Sequence, residues 1–411
     1  MNRKTNRNTT GPLSGVRVLE ITQIMSGPTC GLLLADLGAD VIKIEKTQGG
    51  DDARGYRDPQ VGGVSGPFMM MNRNKRGLAL DLKSEQGRAL LLRMVKQADV
   101  LVENFRGGTM DKLGLGYEVL KAHNPGLIYC AITGYGRSGP YADKGGFDLI
   151  AQGFAGLMSV TGEPGRPPVK SGSAVSDMNA GILAALGILA AYIHKLKTGE
   201  GQVVDTSLSD AALQQTYWHA AVWFATQQSP QPTGSAHLLT APYQAFEASD
   251  GWINIGGANQ TNWERICDVL GHPDWKTDAR FATNRDRMVH LDELVDLMNA
   301  VVRTRTRAEW QAAFDAAGVP AGPVHTIGEA LSHPQTLARG MVVDLVHPQA
   351  GPTRAIGCPI HFSASPERTS TPAPLLGQHT REVLQAFGLD AAEIDALLAA
   401  GVVSEPAPPQ A

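Results

Sequence analysis

Between Val169 and Leu196 the sequence reads VKSGSAVSDMNAGILAALGILAAYIHKL. One acid, Asp177, heads a long apolar helix behind a run of small residues. A carboxylate at that place has two uses. As a helix cap it accepts from the free N–H groups of the first turn. As a nucleophile it attacks an activated carbonyl and holds the acyl group covalently. A helix N-terminus favours the anion in either use. Gly172, Ser173, Ala174 and Ser176 leave room beside it for a bulky substrate, and neighbouring backbone N–H groups are placed to stabilise an oxyanion.

The other chemical kits fail on spacing. GYGRSG (Gly134–Gly139) matches a dinucleotide fingerprint and follows a strand, but Pro140, Tyr141, Asp143 and Lys144 follow it where a helix must open, so it reads as a loop. No G-x-x-x-x-G-K-[ST] loop and no G-x-S-x-G elbow occurs. The eleven histidines take no metal spacing, and His194, at the end of the apolar helix, suits the helix dipole better than a ligand set. Cys30, Cys130, Cys267 and Cys358 form no CxxC pair, so neither structural zinc nor a disulfide framework is indicated.

Composition narrows the class. With 43% hydrophobic and 18% charged residues over 411 positions, the chain can bury a sizeable core, in two domains or one domain with an insertion. A net charge of −4 gives no field for nucleic acid or anionic lipid, and the one basic run is the short RNKR at Arg73–Arg76. The polar start MNRKTNRNTTG lacks an apolar core and reads as a tail rather than a signal peptide. The apolar stretch Gly181–Ala191 reads as too short to span a bilayer. A reducing cytoplasm is the expected compartment.

The elements that must position Asp177 follow an alternating pattern. VRVLEI (Val16–Ile21), ADVIKIE, GLALDL (Gly77–Leu82), DVLVENF (Asp99–Phe105) and LIYCAIT (Leu127–Thr133) read as buried strands. Helices fall between them, one with Pro28 in its first turn and another capped by Ser84. GQVVDTSL and a helix from Ser209 close the region. Alternation of this kind predicts right-handed crossovers and a mainly parallel sheet covered on both faces. Composition changes near Gln227, where QQSPQPTGS reads as a linker. PYQAFEASDGWINIGG then reads as a hairpin, followed by helices around Trp263–Leu270, Leu291–Thr304 and Ala308–Ala317. MVVDLVHP and TRAIGCPIHF read as a strand pair. Two short helices end the fold near Ala400, before the tail SEPAPPQA.

Several segments, in order, resemble one family. They are LSGVRVLEIT…SGPTCGLLLADLGADVIKIEK, NRNKRGLALDLK (Asn72–Lys83), ADVLVENFRGGTMDKLGLGY (Ala98–Tyr117), ITGYGRSGPYADKGGFDLIAQG, DMNAGILAALGILAA and KTGEGQVVDTSL. The chain is similar, from about Leu13 to Phe362, to the class III coenzyme A transferases, the group that includes formyl-CoA transferase. The resemblance implies a Rossmann-like α/β large domain with a parallel sheet, built from both chain ends, a smaller α+β middle domain, and two subunits interlocked as a homodimer. Boundaries on this reading are a tail at 1–11, the large domain over 12–226, linker and small domain over 227–320, a return segment over 321–402, and a tail at 403–411.

The resemblance also assigns residues. Asp177 takes the nucleophile position. CoA, as a substrate and not as a resident cofactor, would be held by Ile24 and Met25 after the first strand, Lys46 after the second, Leu80 and Lys83 at the end of the third, then Asn104, Phe105, Lys112 and Phe147. Basic groups suit the CoA phosphates. No metal is implied. The related acyl-CoA racemases carry a His–Asp pair in a GHD triplet; here the triplet is Gly146-Phe147-Asp148, and Phe accepts no proton. Racemase and non-catalytic CoA-binding protein remain the alternative readings. GSAHLLTAPYQAF (Gly234–Phe246) lacks the glycine run of formyl-CoA transferase and looks closer to members handling dicarboxylates, such as succinyl-CoA:glutarate transferase. His237, Lys144 and Arg73 are the candidate cations for an acceptor carboxylate.

Overall fold

The computed structural model describes residues 10–366 and 369–406. The outer parts of both expected tails, 1–9 and 407–411, lie outside the described residues. The chain divides into two compact units. The larger comprises the chain up to Leu157, Ser171–Thr216 and the chain from Gln335 onward; the smaller comprises Met158–Lys170 and Tyr217–Pro334.

Seven strands form the sheet of the larger unit: β1 (Arg17–Ile21), β2 (Asp40–Glu45), β3 (Arg76–Leu80), β4 (Val100–Glu103), β5 (Ile128–Thr133), β6 (Val203–Ser207) and β7 (Val403–Ser404). Their order is β7-β3-β2-β1-β4-β5-β6. All neighbouring pairs are parallel except β7 on β3. β1, β3, β4 and β5 are buried at every residue, which explains their near-continuous apolar runs: a parallel sheet covered on both faces leaves no polar side. Val403 and Ser404, assigned to a tail on sequence, are instead the edge strand, with Val403 opposite Leu80 and 1% exposed. Two residues are too few to show a strand period, so only the partner reveals them.

The helices that shape the site are α1 (Ser26–Asp36), α2 (Glu85–Val95), α3 (Asp148–Phe154), α4 (Val175–Thr198) and α5 (Leu208–Gln214). Ser84 caps α2 through its side chain, as expected. α4 corrects the sequence reading of its length. It runs 24 residues, not the short apolar stretch alone, and by length and composition it is long and apolar enough to cross a membrane. Its buried residues are small: Ser176, Ala180, Gly181, Ala184, Ala185 and Ala191, with Ile188. They share a core with Cys30, Leu34 and Ala35 of α1 and with Val100, Ile128 and Cys130 of the sheet. A Cβ on Gly181 would meet the Ser26 carbonyl oxygen at 2.5 Å, so glycine is what lets the start of α4 close on the start of α1.

The smaller unit has an antiparallel sheet in the order Ala321–Pro323, Gly251–Gly256, Tyr243–Ala248. Phe246, Ile253, Trp263, Phe281, Trp310 and Phe314 form its core. The expected hairpin and the later strand pair (Val342–His347 with Gly351–Ile356) are both present.

Candidate active site

The order of the sheet creates the site. β1 is central. The chain passes from it to β2 and β3 on one side and to β4, β5 and β6 on the other. Loops leaving the carboxyl ends of β1 and β4 therefore diverge, and a crevice opens between them, the usual ligand position in an open parallel sheet. Two cavities lie there, and Gln23 after β1 and Phe105 after β4 line both. One, of about 380 Å³, brings together Ile24, Met25, Asn104, Phe105, Lys144, Phe147 and Asp177. The other, of about 580 Å³, brings together Lys46, Leu80 and Lys83.

Asp177 is not the helix cap. The N-cap of α4 is Ala174, which has no side-chain capping bond. The capping carboxylate comes from another helix. Asp148, the first residue of α3, accepts the Ser176 N–H at 2.9 Å and the Asp177 N–H at 3.4 Å through Oδ1. Its Oδ2 accepts from Gln152 Nε2 at 2.6 Å, and Gln152, 1% exposed, accepts the Ser171 N–H at 2.9 Å. Among the described residues nothing donates to the Asp177 carboxylate, which is left half-buried at the cavity wall. Its acidity reverses the sequence expectation. Burial, and then the Asp148 charge, push its pKa up to about 6, outweighing the helix dipole that was expected to favour the anion. The group is still largely ionised at neutral pH, and more basic than an ordinary carboxylate.

The loop after β1 is held from several sides. Asn104 accepts the Gln23 N–H at 2.8 Å and donates to the Gln23 carbonyl at 2.8 Å and to Ser26 Oγ at 3.2 Å. Beneath lies a buried ionic cluster. Lys43 reaches Asp51 at 2.9 Å, Glu20 at 3.3 Å and the Thr22 carbonyl at 3.0 Å. Lys75 reaches Glu20 at 2.9 Å, with Asn72 Oδ1 and the Pro28 carbonyl each at 2.9 Å. Burial alone would discharge Lys43, but Glu20 and Asp51 outweigh it and raise its pKa; Lys75, with less compensation, is lowered to about 8 by burial. A Cβ on Gly31 would stand 1.7 Å from Glu20 Oε2, so α1 needs glycine there to pass over the cluster. Across the crevice, buried Glu103 accepts the Phe105 N–H at 2.8 Å and the Tyr129 hydroxyl at 3.0 Å, and burial raises its pKa to about 7.

Other expected residues fall differently. Lys46 and Lys83 are exposed at the larger cavity, and Lys46 pairs with Asp52 at 2.6 Å. Lys112 is exposed on the short helix Thr109–Lys112 and lines neither cavity. Arg73 is a correction. It is 2% exposed, spans Asp36 with both terminal nitrogens (Nη1 to Oδ1, 2.6 Å) and donates to the Ile356 carbonyl at 2.9 Å, so it is committed to structure away from Asp177. His237 belongs to the smaller unit. Its Nδ1 accepts the Leu239 N–H at 3.1 Å, and its ring packs edge-on to Tyr243 and Trp218. Lys144 stands at the Asp177 cavity with its ammonium 3.4 Å from the Tyr141 ring centroid. Phe147 is 76% exposed, an apolar lip with no proton to exchange.

Sequence reasoning missed Asp148 as the cap and missed the cluster of Glu20, Lys43, Asp51 and Lys75. One signal was there: a lysine inside DVIKIE and a glutamate inside RVLEI, charges in strands otherwise wholly apolar.

The model for CoA-transferase family III matches residues 13–380. The chain is 39% identical over 379 residues to the succinate–glutarate CoA-transferase of Agrobacterium fabrum, covering 91% of this chain and 95% of that one. It is 35% identical over 399 residues to the succinyl-CoA:glutarate CoA-transferase of Homo sapiens, covering 97% and 91%. A CaiB/BaiF family protein from Brucella suis, of known crystal structure, superposes with a TM-score of 0.82 at 39% identity, over 92% of this chain and 100% of that one. With a family match along most of its length and relatives of this similarity, the chain belongs to CoA-transferase family III and is an enzyme of that class.

Proposed function

We propose that this enzyme moves CoA from succinyl-CoA, or a similar dicarboxylyl-CoA, to a short dicarboxylic acid, with Asp177 as nucleophile. The observation that carries the reading is the Asp177 carboxylate, free of hydrogen-bond donors among the described residues, in a cavity that shares Gln23 and Phe105 with a larger one. The nucleotide end of CoA takes the larger cavity, near Lys46 and Lys83, and the thioester reaches Asp177 past Phe105. The names of the relatives from Agrobacterium fabrum and Homo sapiens support the dicarboxylate class.

The steps balance without a resident cofactor. An Asp177 Oδ attacks the thioester carbonyl, the C–S bond breaks, and CoA leaves as thiolate from a mixed anhydride. The thiolate attacks the Asp177 carbonyl carbon, releasing the donor as a carboxylate and leaving an aspartyl-CoA thioester. The incoming carboxylate attacks that thioester, forming a new anhydride and freeing thiolate once more. Thiolate attack on the acceptor carbonyl yields the product acyl-CoA and restores Asp177. Each difficult exchange is divided into acyl transfers between activated species. The raised basicity of Asp177 makes it a better nucleophile while leaving it ionised at neutral pH. Lys144 and Arg106 supply positive charge at the same cavity for a substrate anion.

A second copy of the chain completes the assembly on this reading, as the interlocked dimer implied by the family resemblance. Met178, Ile182, Leu186 and Ile193 are exposed at helical spacing along α4, an apolar stripe that a partner would cover. Sizing at nanomolar concentration checks it, and folded monomer would overturn it. For the chemistry, a panel of acyl-CoA donors against free acids, read by mass spectrometry of the CoA products, is the test. Succinyl-CoA with a short dicarboxylate is expected to lead; equal use of acetate and succinate as acceptors would refute the dicarboxylate preference.

A further inference from the structure

Ile24 has a φ of +67°, in the left-handed region that β-branched residues avoid. The other non-glycine residues of positive φ among those described are Asn74 and Gln227. Asn is at home there; Ile is not, and it persists only where its surroundings over-determine it. Here they do. The Ile24 N–H donates to Asp51 Oδ1 at 3.0 Å. That oxygen also accepts the Ala53 N–H at 2.9 Å, while Oδ2 is tied to Lys43 at 2.9 Å. Asp51 is 1% exposed and Lys43 0%. The Ile24 side chain packs against Ala53, Phe68, Met71 and Ala373. The preceding backbone is gripped too, Thr22 through its carbonyl by Lys43 and Gln23 through both N–H and carbonyl by Asn104. The chain therefore turns sharply at Ile24, and Ile24, Met25 and Ser26 become wall of the Asp177 cavity.

We propose that Asp51, clamped by Lys43, is a positioning residue for acyl transfer: by holding the Ile24 N–H it imposes the left-handed turn that sets part of the wall of the Asp177 cavity. The proposal rests on the reading of that cavity as the acyl-transfer site. It makes the buried cluster a device for one backbone angle. A glycine at position 24 adopts that angle unaided, so it makes the anchor dispensable.

The test is a double-mutant cycle on exchange of CoA between succinyl-CoA and a dicarboxylate. Asp51→Ala should lower kcat about ten- to a hundredfold, the scale of a cavity wall misplaced by an ångström, with KM for acyl-CoA within about threefold. Ile24→Gly, which also removes a side chain of the cavity wall, sets its own baseline, and adding Asp51→Ala to it should change kcat less than about threefold from that baseline. Asp51→Asn, which keeps an acceptor for the Ile24 N–H, should keep kcat while lowering the melting temperature. If Asp51→Ala does not fold, Asp51→Ala with Lys43→Met leaves no unpaired charge of that pair and is compared with and without Ile24→Gly. A double variant slower than Ile24→Gly by the same factor that Asp51→Ala costs the wild type overturns the proposal. Crystal structures give a readout independent of turnover: Ile24 should leave the left-handed region in Asp51→Ala and stay in Asp51→Asn. An Ile24 still at positive φ in Asp51→Ala also overturns the proposal. A wild-type enzyme that transfers no CoA refutes the reading of the site, and the Ile24 angle then still decides whether Asp51 is the anchor.

Discussion

Asp148 Oδ1 accepts the backbone N–H of Asp177 at 3.4 Å and that of Ser176 at 2.9 Å, so one carboxylate caps the helix that carries another. The arrangement separates two tasks. Asp148 satisfies the orphan N–H groups of α4, and the Asp177 carboxylate is released from that duty to face the cavity. The same proximity raises the Asp177 pKa, second to burial.

The pH profile should show this. Asp177 acts as the anion, and its pKa stands at about 6, so exchange should be full above that value and fall about tenfold per pH unit well below it. Asp148→Asn keeps an acceptor for Ser176 and removes the charge, and should move the acidic limb to lower pH. Initial rates of exchange from pH 4.5 to 8 measure both. A limb unmoved by the substitution would assign it to another group.

Stability should carry the opposite sign from activity. The folded pKa of Asp177, about 6, lies above the ordinary 3.8. The folded state therefore binds this proton more tightly, so ionisation destabilises it, progressively from about pH 4 and fully above about pH 6. Asp177→Asn should abolish exchange and raise unfolding free energy at pH 8 by up to about 3 kcal/mol, with a smaller gain at pH 5. Urea melts at the two pH values test this. A variant less stable than wild type at pH 8 would contradict it.

Arg73 should prove structural. Its guanidinium and the Asp36 carboxylate are each 2% exposed, and a buried charge left without its partner costs about 3–5 kcal/mol. Arg73→Ala should lower the melting temperature sharply while the folded fraction exchanges CoA at a near-normal rate. A rate loss confined to dicarboxylate acceptors, with stability intact, would restore it to the substrate site.

The lysines at the larger cavity should separate by position. Lys83 lines it and Lys112 does not. A charge-assisted contact to a CoA phosphate is worth about 1.5–3 kcal/mol, so Lys83→Ala should raise KM for acyl-CoA about ten- to a hundredfold with kcat held. Lys112→Ala should change KM less than about threefold, as an exposed charge outside the cavity. Equal effects would place a phosphate on both.

No exchange of the α-proton is expected, because position 147, where the resemblance to acyl-CoA racemases would put a histidine base, holds phenylalanine, which accepts no proton. A 2-methylacyl-CoA incubated with enzyme in deuterated water should take up no deuterium at the α-carbon beyond the uncatalysed rate. Enzyme-dependent uptake would bring the racemase reading forward.

By itself the sequence determined the alternating strands and helices, because burial on both faces forces apolar runs and crossovers force helices between them. It also marked Asp177, because a lone acid before an apolar helix is visible in one dimension. The family resemblance, rather than pattern alone, named residues that line the two cavities: Ile24, Met25, Lys46, Leu80, Lys83, Asn104 and Phe105 at or after strand ends, and Phe147 just before a helix. Other matters depended on which segments meet. The edge strand at Val403 has no period to read and exists only through its pairing with β3. Arg73 was offered to substrate because an arginine's partner is invisible until Asp36, 37 positions away, comes alongside. The acidity of Asp177 was read with the wrong sign because the helix dipole is local, whereas burial and the charge of Asp148, 29 positions away, are products of packing. The turn at Ile24 is the extreme case: local preference argues against it, and only Asp51 and the ionic cluster beneath, drawn from β1, β2 and the residue before β3, make that backbone the stable one.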